Sequence, residues 1–530
     1  MRFRCRFPGR AVAAGALAVT VLAGCTQAVD GHPQASGGTS GRPGAPSSSP
    51  SVPPTSPPIA PVQFRDCSSV LKIPALKIPT SLAGKLSAQC GTVHVPIDYA
   101  KPDGAKLGLF MIRIHDSDNT GHLGSLFLNP GGPGGSGVDL ALGLLSQISP
   151  TVLQHFDLLG FDPRGVGYST PVRCLTNTQQ DAFDAASPDI TTAAGVARQK
   201  QLDRQFAQRC EQKYGSALAH FDTVDTARDI DEIRLALGEH KISYLGFSYG
   251  TELGSVYAHL FPNKVRVAVL DGAVDPNQSI VQSTEVQLSG FERGFTQFAA
   301  WCKQHSPCKT VGDPTAVAIQ LLASVQRSPM PTGTSRPLTA SLAVTGIGQA
   351  LYSHSSWPRL GTALVEAHDG NGAGLLGLAD AYYERSSNGS YPNLTQANEV
   401  INCNDSGPGL GDALVHKYLN EWRAKYPIFG ASFAAGLYGC VGWQPHRTVP
   451  PKPTAPTATK VLVIGNVNDP VTPYQGAKDL TAAMGNAELL TWDGTPGHTS
   501  YLQGSSCIDD AVNAYLIHEK LPPENTTCPK

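Results

Sequence analysis

Charge is what this sequence is short of. Asp, Glu, Lys and Arg together make up 15% of its 530 residues, against roughly a quarter in an ordinary soluble chain. The formal net charge is only −2, and past Arg10 there is no basic tract, which excludes a nucleic-acid binder of the electrostatic kind. A long apolar run is also missing: Ala11 to Leu22 falls short of the roughly 20 residues that a permanent spanning helix needs. The 12 cysteines contain no CxxC pair, so neither a structural zinc site nor a dithiol redox motif is indicated. No internal repeat is present, which removes solenoids and propellers from consideration.

What the amino terminus does contain is an export pattern. Arg2, Arg4, Arg6 and Arg10 precede the short apolar run, as in a secretory signal. The run ends in Leu22-Ala23-Gly24-Cys25, which resembles a bacterial lipobox: residues 1–24 would be removed and Cys25 would take a lipid. An ordinary cleavable signal with an incidental cysteine is the alternative. Removal of Met1–Gly24 deletes four arginines from a chain of 40 basic and 42 acidic residues, leaving the mature chain more acidic. Export fits the remaining cysteines: Cys67, Cys90, Cys174, Cys210, Cys302, Cys308, Cys403, Cys440, Cys507 and Cys528. They are even in number and widely spread, as structural disulfides are. Sequential pairing would close short loops, but the sequence leaves the connectivity open.

The segment 25–63, rich in Pro, Ser and Gly from Gly31 to Gln63, cannot bury enough apolar surface to fold and is expected to be an extended tether. From there the pattern turns to short strands: Gly91–Asp98, Leu107–His115, Ser125–Pro130, Asp157–Phe161, Ile242–Gly246 and Val265–Leu270. Helices are expected at Thr223–Leu237 and Tyr249–Leu260. This alternation predicts an α/β fold, a mostly parallel central sheet with helices on both faces. It stops at Ser279, and 279–444 reads as a large, mainly helical insertion, with helices such as Glu285–Lys303 and Gly409–Arg423. It resumes with the strand Val461–Gly465, a helix near Tyr474–Met484, the strand Ala487–Trp492 and a helix over Asp509–Lys520. The chain thus divides into a core (64–278), an insertion placed as a lid over the strand ends, and the rest of the core (445–530).

Gly246-Phe247-Ser248-Tyr249-Gly250 joins a buried strand to an amphipathic helix without a conventional turn. That is the context of a nucleophile elbow, in which a strained bend lifts the serine hydroxyl off the sheet. A glycine-rich turn without chemistry is the plain alternative. A serine needs a base, and the base an orienting acid. Asp469 follows a later strand in "NDPVTP", and His498 lies in the final loop "GTPGHTSY". Taken singly they read as an Asx-turn residue and a loop histidine; the order Ser, Asp, His is that of the fold. Asp493 is the alternative acid, too near His498 in the chain. The developing oxyanion needs two donors, and the N–H groups of Tyr249 and of Gly132 in "NPGGPGGSG" are the candidates. A phosphate cradle is the other reading of that loop, but no lysine follows and Pro133 interrupts it.

In the order "NPGGPGGSG", "FDPRGVGYS", "GFSYGT", "NDPVTP" and "PGH", the chain resembles the prolyl iminopeptidase and tripeptidyl aminopeptidase branch of the α/β hydrolases. Within it the likeness is to exported bacterial lipoprotein peptidases, some described as carboxylesterases, and it runs from about Cys67 to the carboxyl terminus. The resemblance implies Ser248 as nucleophile, Asp469 and His498 as its partners, and Gly132 with Tyr249 as the oxyanion hole. Where the iminopeptidases carry His-Gly-Gly-Pro-Gly, this chain has Pro130 in place of the histidine, which argues against proline selectivity. An aminopeptidase must also hold an α-ammonium. Asp405, in the lid-like segment "INCNDSGPG", is the candidate anchor, and Glu252, one turn into the helix after Ser248, is a second contributor; bracing a turn and helix packing or capping are their structural alternatives. Asp162 and Arg164 are expected to brace loops, and Thr472 to hydrogen-bond the acid.

The expectation is therefore a lipid-anchored, envelope-facing serine hydrolase that cleaves peptides near free amino termini, with no metal or organic cofactor and no nucleic acid. The same machinery would serve an esterase or lipase. A non-catalytic envelope binding protein on this scaffold is the third reading, opposed by the complete Ser, Asp, His order.

Overall fold

The computed structural model describes residues 60–445, 449–455 and 459–530. The signal-like stretch, Cys25 and nearly all of the 25–63 tether lie outside the described residues.

One ten-stranded sheet organises the chain. Its strands are β1 (Arg65–Asp66), β2 (Leu86–Pro96), β3 (Lys106–Asp116), β4 (Ser125–Asn129), β5 (Asp157–Phe161), β6 (Ile242–Phe247), β7 (Val265–Asp271), β8 (Val461–Asn466), β9 (Ala487–Asp493) and β10 (Thr527–Pro529). They lie in the order β1-β2-β3-β5-β4-β6-β7-β8-β9-β10. The pairings β1–β2, β2–β3 and β3–β5 are antiparallel, and the rest are parallel. The fold is α/β, as the alternation of elements indicates.

Central strands such as β4, β5, β6 and β8 are buried along their whole length, because helices cover both faces. The pleat sends alternate side chains to opposite layers. Val461 and Val463 pack with Leu253 and Tyr257 of the helix Tyr249–Leu260. Leu462 and Ile464 pack with Val512 and Leu516 of the helix Ser506–His518. The strand order reverses around β4, which lies between β5 and β6. The carboxyl ends of the strands at such a reversal are where parallel sheets take their ligands.

Between β7 and β8 the chain adds helices from Ile280–Cys302 to Gly430–Gly436. The first starts earlier than Glu285 because Ser279 and Gln282 form a reciprocal capping box that satisfies otherwise free amide groups. Its Leu288, Phe291, Phe295 and Phe298 recur at helical spacing and enter a separate apolar core with Ile347, Leu360 and Trp422. The helix expected over Gly409–Arg423 runs Asp412–Lys425, with Gly411 at its N-cap. The edge strands β1 and β10 escape periodicity analysis: each spans two or three residues and is set by its neighbour. Five disulfides join the cysteines in sequence order: 67–90, 174–210, 302–308, 403–440 and 507–528. The first and last pin the two edges of the sheet. Among the described residues, no helix is long and apolar enough to cross a membrane.

The loop after β5 is fixed by two buried charges. Asp162 Oδ1 accepts from Ser136 Oγ at 2.6 Å and Val138 N at 3.3 Å, and Oδ2 accepts from Tyr168 N at 2.8 Å. Arg164, 0% exposed, donates to both carboxylate oxygens of Asp229, at 2.7 and 2.6 Å, and to the carbonyls of Pro96, Ile97 and His220. Arg164 therefore ties β2, the loop after β5 and the helix Thr223–Ala236 together. Arg164→Ala strands the Asp229 carboxylate in the core. The expected loss is about 3–5 kcal/mol of unfolding free energy, measured by urea titration of the folded protein.

Candidate active site

Strand register brings the site to one edge. Asn129 pairs with Gly246, Phe247 with Asp271, and Asp271 with Ile464. The loops that leave β4, β6, β7 and β8 therefore emerge side by side, and they carry the glycine-rich segment, Ser248, Gly272 and Asp469.

Ser248 has φ 55° and ψ −126°. This left-handed conformation is costly for a residue with a Cβ, and the bend that imposes it turns the side chain out of the sheet. The Ser248 N–H is fixed by the Asp271 carbonyl at 2.9 Å. Gly131, with φ +88°, closes the other side: a Cβ there would collide with the Phe247 carbonyl and come within 3.0 Å of Ser248 Cβ. Asn129 Oδ1 accepts the Gly131 N–H at 2.9 Å. Gly132, next in the chain, is exposed. Among the described residues neither the Gly132 nor the Tyr249 amide donates a hydrogen bond within the protein. Both are free to meet an oxyanion.

Asp469 is 0% exposed. One oxygen accepts from Val471 N at 2.8 Å and Thr472 N at 2.9 Å; the other accepts from Thr472 Oγ1 at 3.0 Å, Thr499 N at 3.1 Å and His498 Nδ1 at 2.9 Å. It is at once an Asx-turn residue and the partner of the imidazole. With Nδ1 bound to a carboxylate, the ring carries its proton there, and Nε2 is left as the acceptor. That Nε2 is buried and lacks a hydrogen-bond partner within the protein. The ring lies against the residue next to the elbow: a Cβ on Gly272 (φ +71°) would come 3.2 Å from His498 Cε1 and 3.1 Å from Thr472 Oγ1. Ser248 and His498 are thus both seated on Asp271-Gly272, at the end of β7. Asp493, the alternative acid, is exposed at the end of β9 and forms no bond to the imidazole among the described residues.

Three further residues hold these groups. Asn466 Nδ2 donates at 3.0 Å to both Thr495 O and Gly497 O, shaping the loop before the histidine. Tyr352, from the helical insertion, accepts the His498 N–H on its carbonyl at 2.8 Å, and its ring stands edge-on to the imidazole at 5.5 Å. Asn398, also from the insertion, donates to Pro133 O at 3.0 Å. Asn466 lies in the strand-end segment "GNVNDP", where the sequence offers a signal. Tyr352 and Asn398 reach the site only through the packing of the insertion, and nothing local marks them.

Glu252 lies one turn into the helix after Ser248, and Asp405 on the insertion helix Leu394–Ser406. Asp405 accepts from Thr223 N at 3.1 Å and Thr223 Oγ1 at 2.6 Å, and that hydroxyl also bonds the Tyr249 phenol. Burial pushes the Glu252 carboxyl up to about 7. The Asp405 carboxyl is held well above the usual range by burial and then by the charge of Glu252. Among the described residues neither carboxylate forms a salt bridge, and the leading charge acting on Asp405 is that of Glu252. Glu399, Cys403 and Cys440 also cluster, but the two sulfurs are bonded to each other, so no thiolate is free for a metal.

A strained serine, an imidazole tied to a buried carboxylate and a glycine-rich loop at the switch point define a serine hydrolase of α/β-hydrolase architecture. The family described as TAP-like protein matches residues 426–528. Serine protease Hip1 of Mycobacterium tuberculosis is 38% identical over 485 residues, covering 88% of this chain and 91% of that protein. Carboxylesterase B of the same organism is 36% identical over 454 residues, covering 83% and 86%. Tripeptidyl aminopeptidase of Streptomyces lividans is 31% identical over 464 residues, covering 83% of each. The chain belongs to the tripeptidyl-aminopeptidase-like branch of the α/β hydrolases.

Asp469→Asn tests the acid. The amide cannot accept from all of the donors converging there and favours the wrong imidazole tautomer. The expected result is a fall in kcat of about 10⁴-fold with an unchanged far-ultraviolet circular dichroism spectrum.

Proposed function

We propose that this serine hydrolase cleaves peptides, removing short pieces from free amino termini. Ser248 is the nucleophile. His498 Nε2 takes the hydroxyl proton as Oγ attacks the scissile carbonyl, and Asp469 holds the imidazolium that forms. The N–H groups of Gly132 and Tyr249 receive the oxyanion. His498 then gives its proton to the departing amine, and water releases the acyl group by the same path. Thr472, bonded to Asp469 and 3.3 Å from His498 Nδ1, keeps acid and base in register.

The observation that carries the peptide reading is the pair Glu252 and Asp405, acids that form no salt bridge among the described residues, one of them a single turn beyond the nucleophile. A buried carboxylate pair of this kind is costly until a positive charge arrives, and the α-ammonium of a peptide supplies one. Similarity to a serine protease and a tripeptidyl aminopeptidase supports the same reading. The helical insertion would limit how much peptide fits between anchor and nucleophile. The carboxylesterase reading is favoured by one relative, and the triad serves either bond. For location we propose export and lipid attachment at Cys25, on the pattern Leu22-Ala23-Gly24-Cys25.

Tripeptide aminomethylcoumarins with free and acetylated amino termini, assayed beside short acyl esters, test the substrate. The expected outcome is cleavage of the free tripeptides, with KM raised about tenfold or more by acetylation, by Glu252→Gln or by Asp405→Asn. Cleavage of esters alone overturns the peptidase reading.

The pH dependence has a fixed sign. Glu252, with its carboxyl raised to about 7, is neutral below that value and charged above it. Ammonium binding is therefore present above about pH 7 and weakens below it. KM for free tripeptides should climb on acidification, while KM for acyl esters stays level.

A further inference from the structure

A carboxylate that the triad does not use lies at its centre. Asp271, 0% exposed, is the last residue of β7. Its main-chain carbonyl accepts the Ser248 N–H at 2.9 Å. Its side chain accepts the Ser500 N–H on both oxygens, at 2.9 and 3.1 Å, and the Tyr501 N–H at 2.8 Å. Ser500 and Tyr501 directly follow the imidazole loop. One residue therefore joins the strained elbow to the segment that carries His498, and a Cβ on its neighbour Gly272 would come 3.2 Å from the imidazole Cε1.

The charged groups facing Asp271 are few. His498 acts on it from the imidazole loop and Asp469 from the acid turn; among the described residues it forms no salt bridge. Burial pushes its carboxyl up to about 7, while the two amides and His498 pull the other way. A purely structural link between two loops could be built from neutral groups at lower desolvation cost. An acid here adds negative charge behind the ring that must become an imidazolium.

We propose that Asp271 is a positioning residue for the hydrolysis: it locks the nucleophile elbow to the imidazole loop, and its carboxylate supports the positive charge that His498 acquires. This rests on the Ser248–His498–Asp469 reading but not on the choice between peptide and ester.

The test is the pH profile of kcat/KM of the full chain for a short acyl ester, which both readings of the substrate expect to be turned over. Parent, Asp271→Asn and Asp271→Glu are compared. The Asp271 carboxyl, raised to about 7, is ionised in only part of the molecules across the acid limb, so removing it should move the acid limb of Asp271→Asn to lower pH by a few tenths of a unit. Its kcat should fall about 10- to 100-fold from misplacement of the base, with KM within about twofold. Asp271→Glu should keep the acid limb of the parent, because the charge is retained, while kcat stays low. Asp271→Ser, also neutral, replaces Asp271→Asn if that chain does not fold, and must shift the limb the same way. An acid limb that superimposes on the parent's in a neutral variant overturns the proposal and leaves the triad standing. A parent that does not hydrolyse the ester overturns both.

Discussion

The site depends on the buried carboxylate of Asp469. A charge 0% exposed is tolerated only where hydrogen bonds replace its hydration. Here the Val471, Thr472 and Thr499 amides, the Thr472 hydroxyl and the His498 ring all converge on it. These bonds fix the turn after β8 and the loop after β9 together. They also fix the tautomer, leaving Nε2 as the acceptor.

The helical insertion is part of this arrangement and not merely a cover. Val471 of the acid turn is buried in the insertion's own apolar core. Arg293 donates to the Asp469 carbonyl at 2.8 Å, and Gln287 to that of Val471 at 3.2 Å. Tyr352 caps the His498 amide, and Asn398 fastens the glycine-rich loop. The segments that carry Asp469, His498 and Gly132 are each clamped from above, while Ser248 is held from below by β7. Glu252 and Asp405 stand at the same junction of core and insertion, on the helix after Ser248 and on the insertion helix Leu394–Ser406. Rigid support of this kind keeps reacting groups at productive distances.

Much of this was legible in the sequence, for identifiable reasons. Buried parallel strands such as Val461–Asn466 are continuous apolar runs bounded by turn residues, and the elbow around Ser248 is marked by its glycines. The order of Ser248, Asp469 and His498 follows from chain topology, so it could be read without coordinates. Nothing in the sequence marks Asp271, which directly follows the strand expected at Val265–Leu270, because its partners are amides that the sequence does not label. Tyr352 and Asn398 were invisible for a stronger reason. Their contacts depend on how helices of the insertion pack against the core, and packing leaves no short-range pattern. Helix limits slipped by a few residues where a cap decided them, at Ser279 and Gly411.

The central claim is that Ser248 is activated by His498. Fluorophosphonate labelling of the folded chain, read by intact mass and peptide mapping, tests it most directly. The account predicts one adduct, on Ser248, formed rapidly by the parent and lost in both Ser248→Ala and His498→Ala. An adduct that persists in Ser248→Ala, or a parent that takes no label, would contradict it.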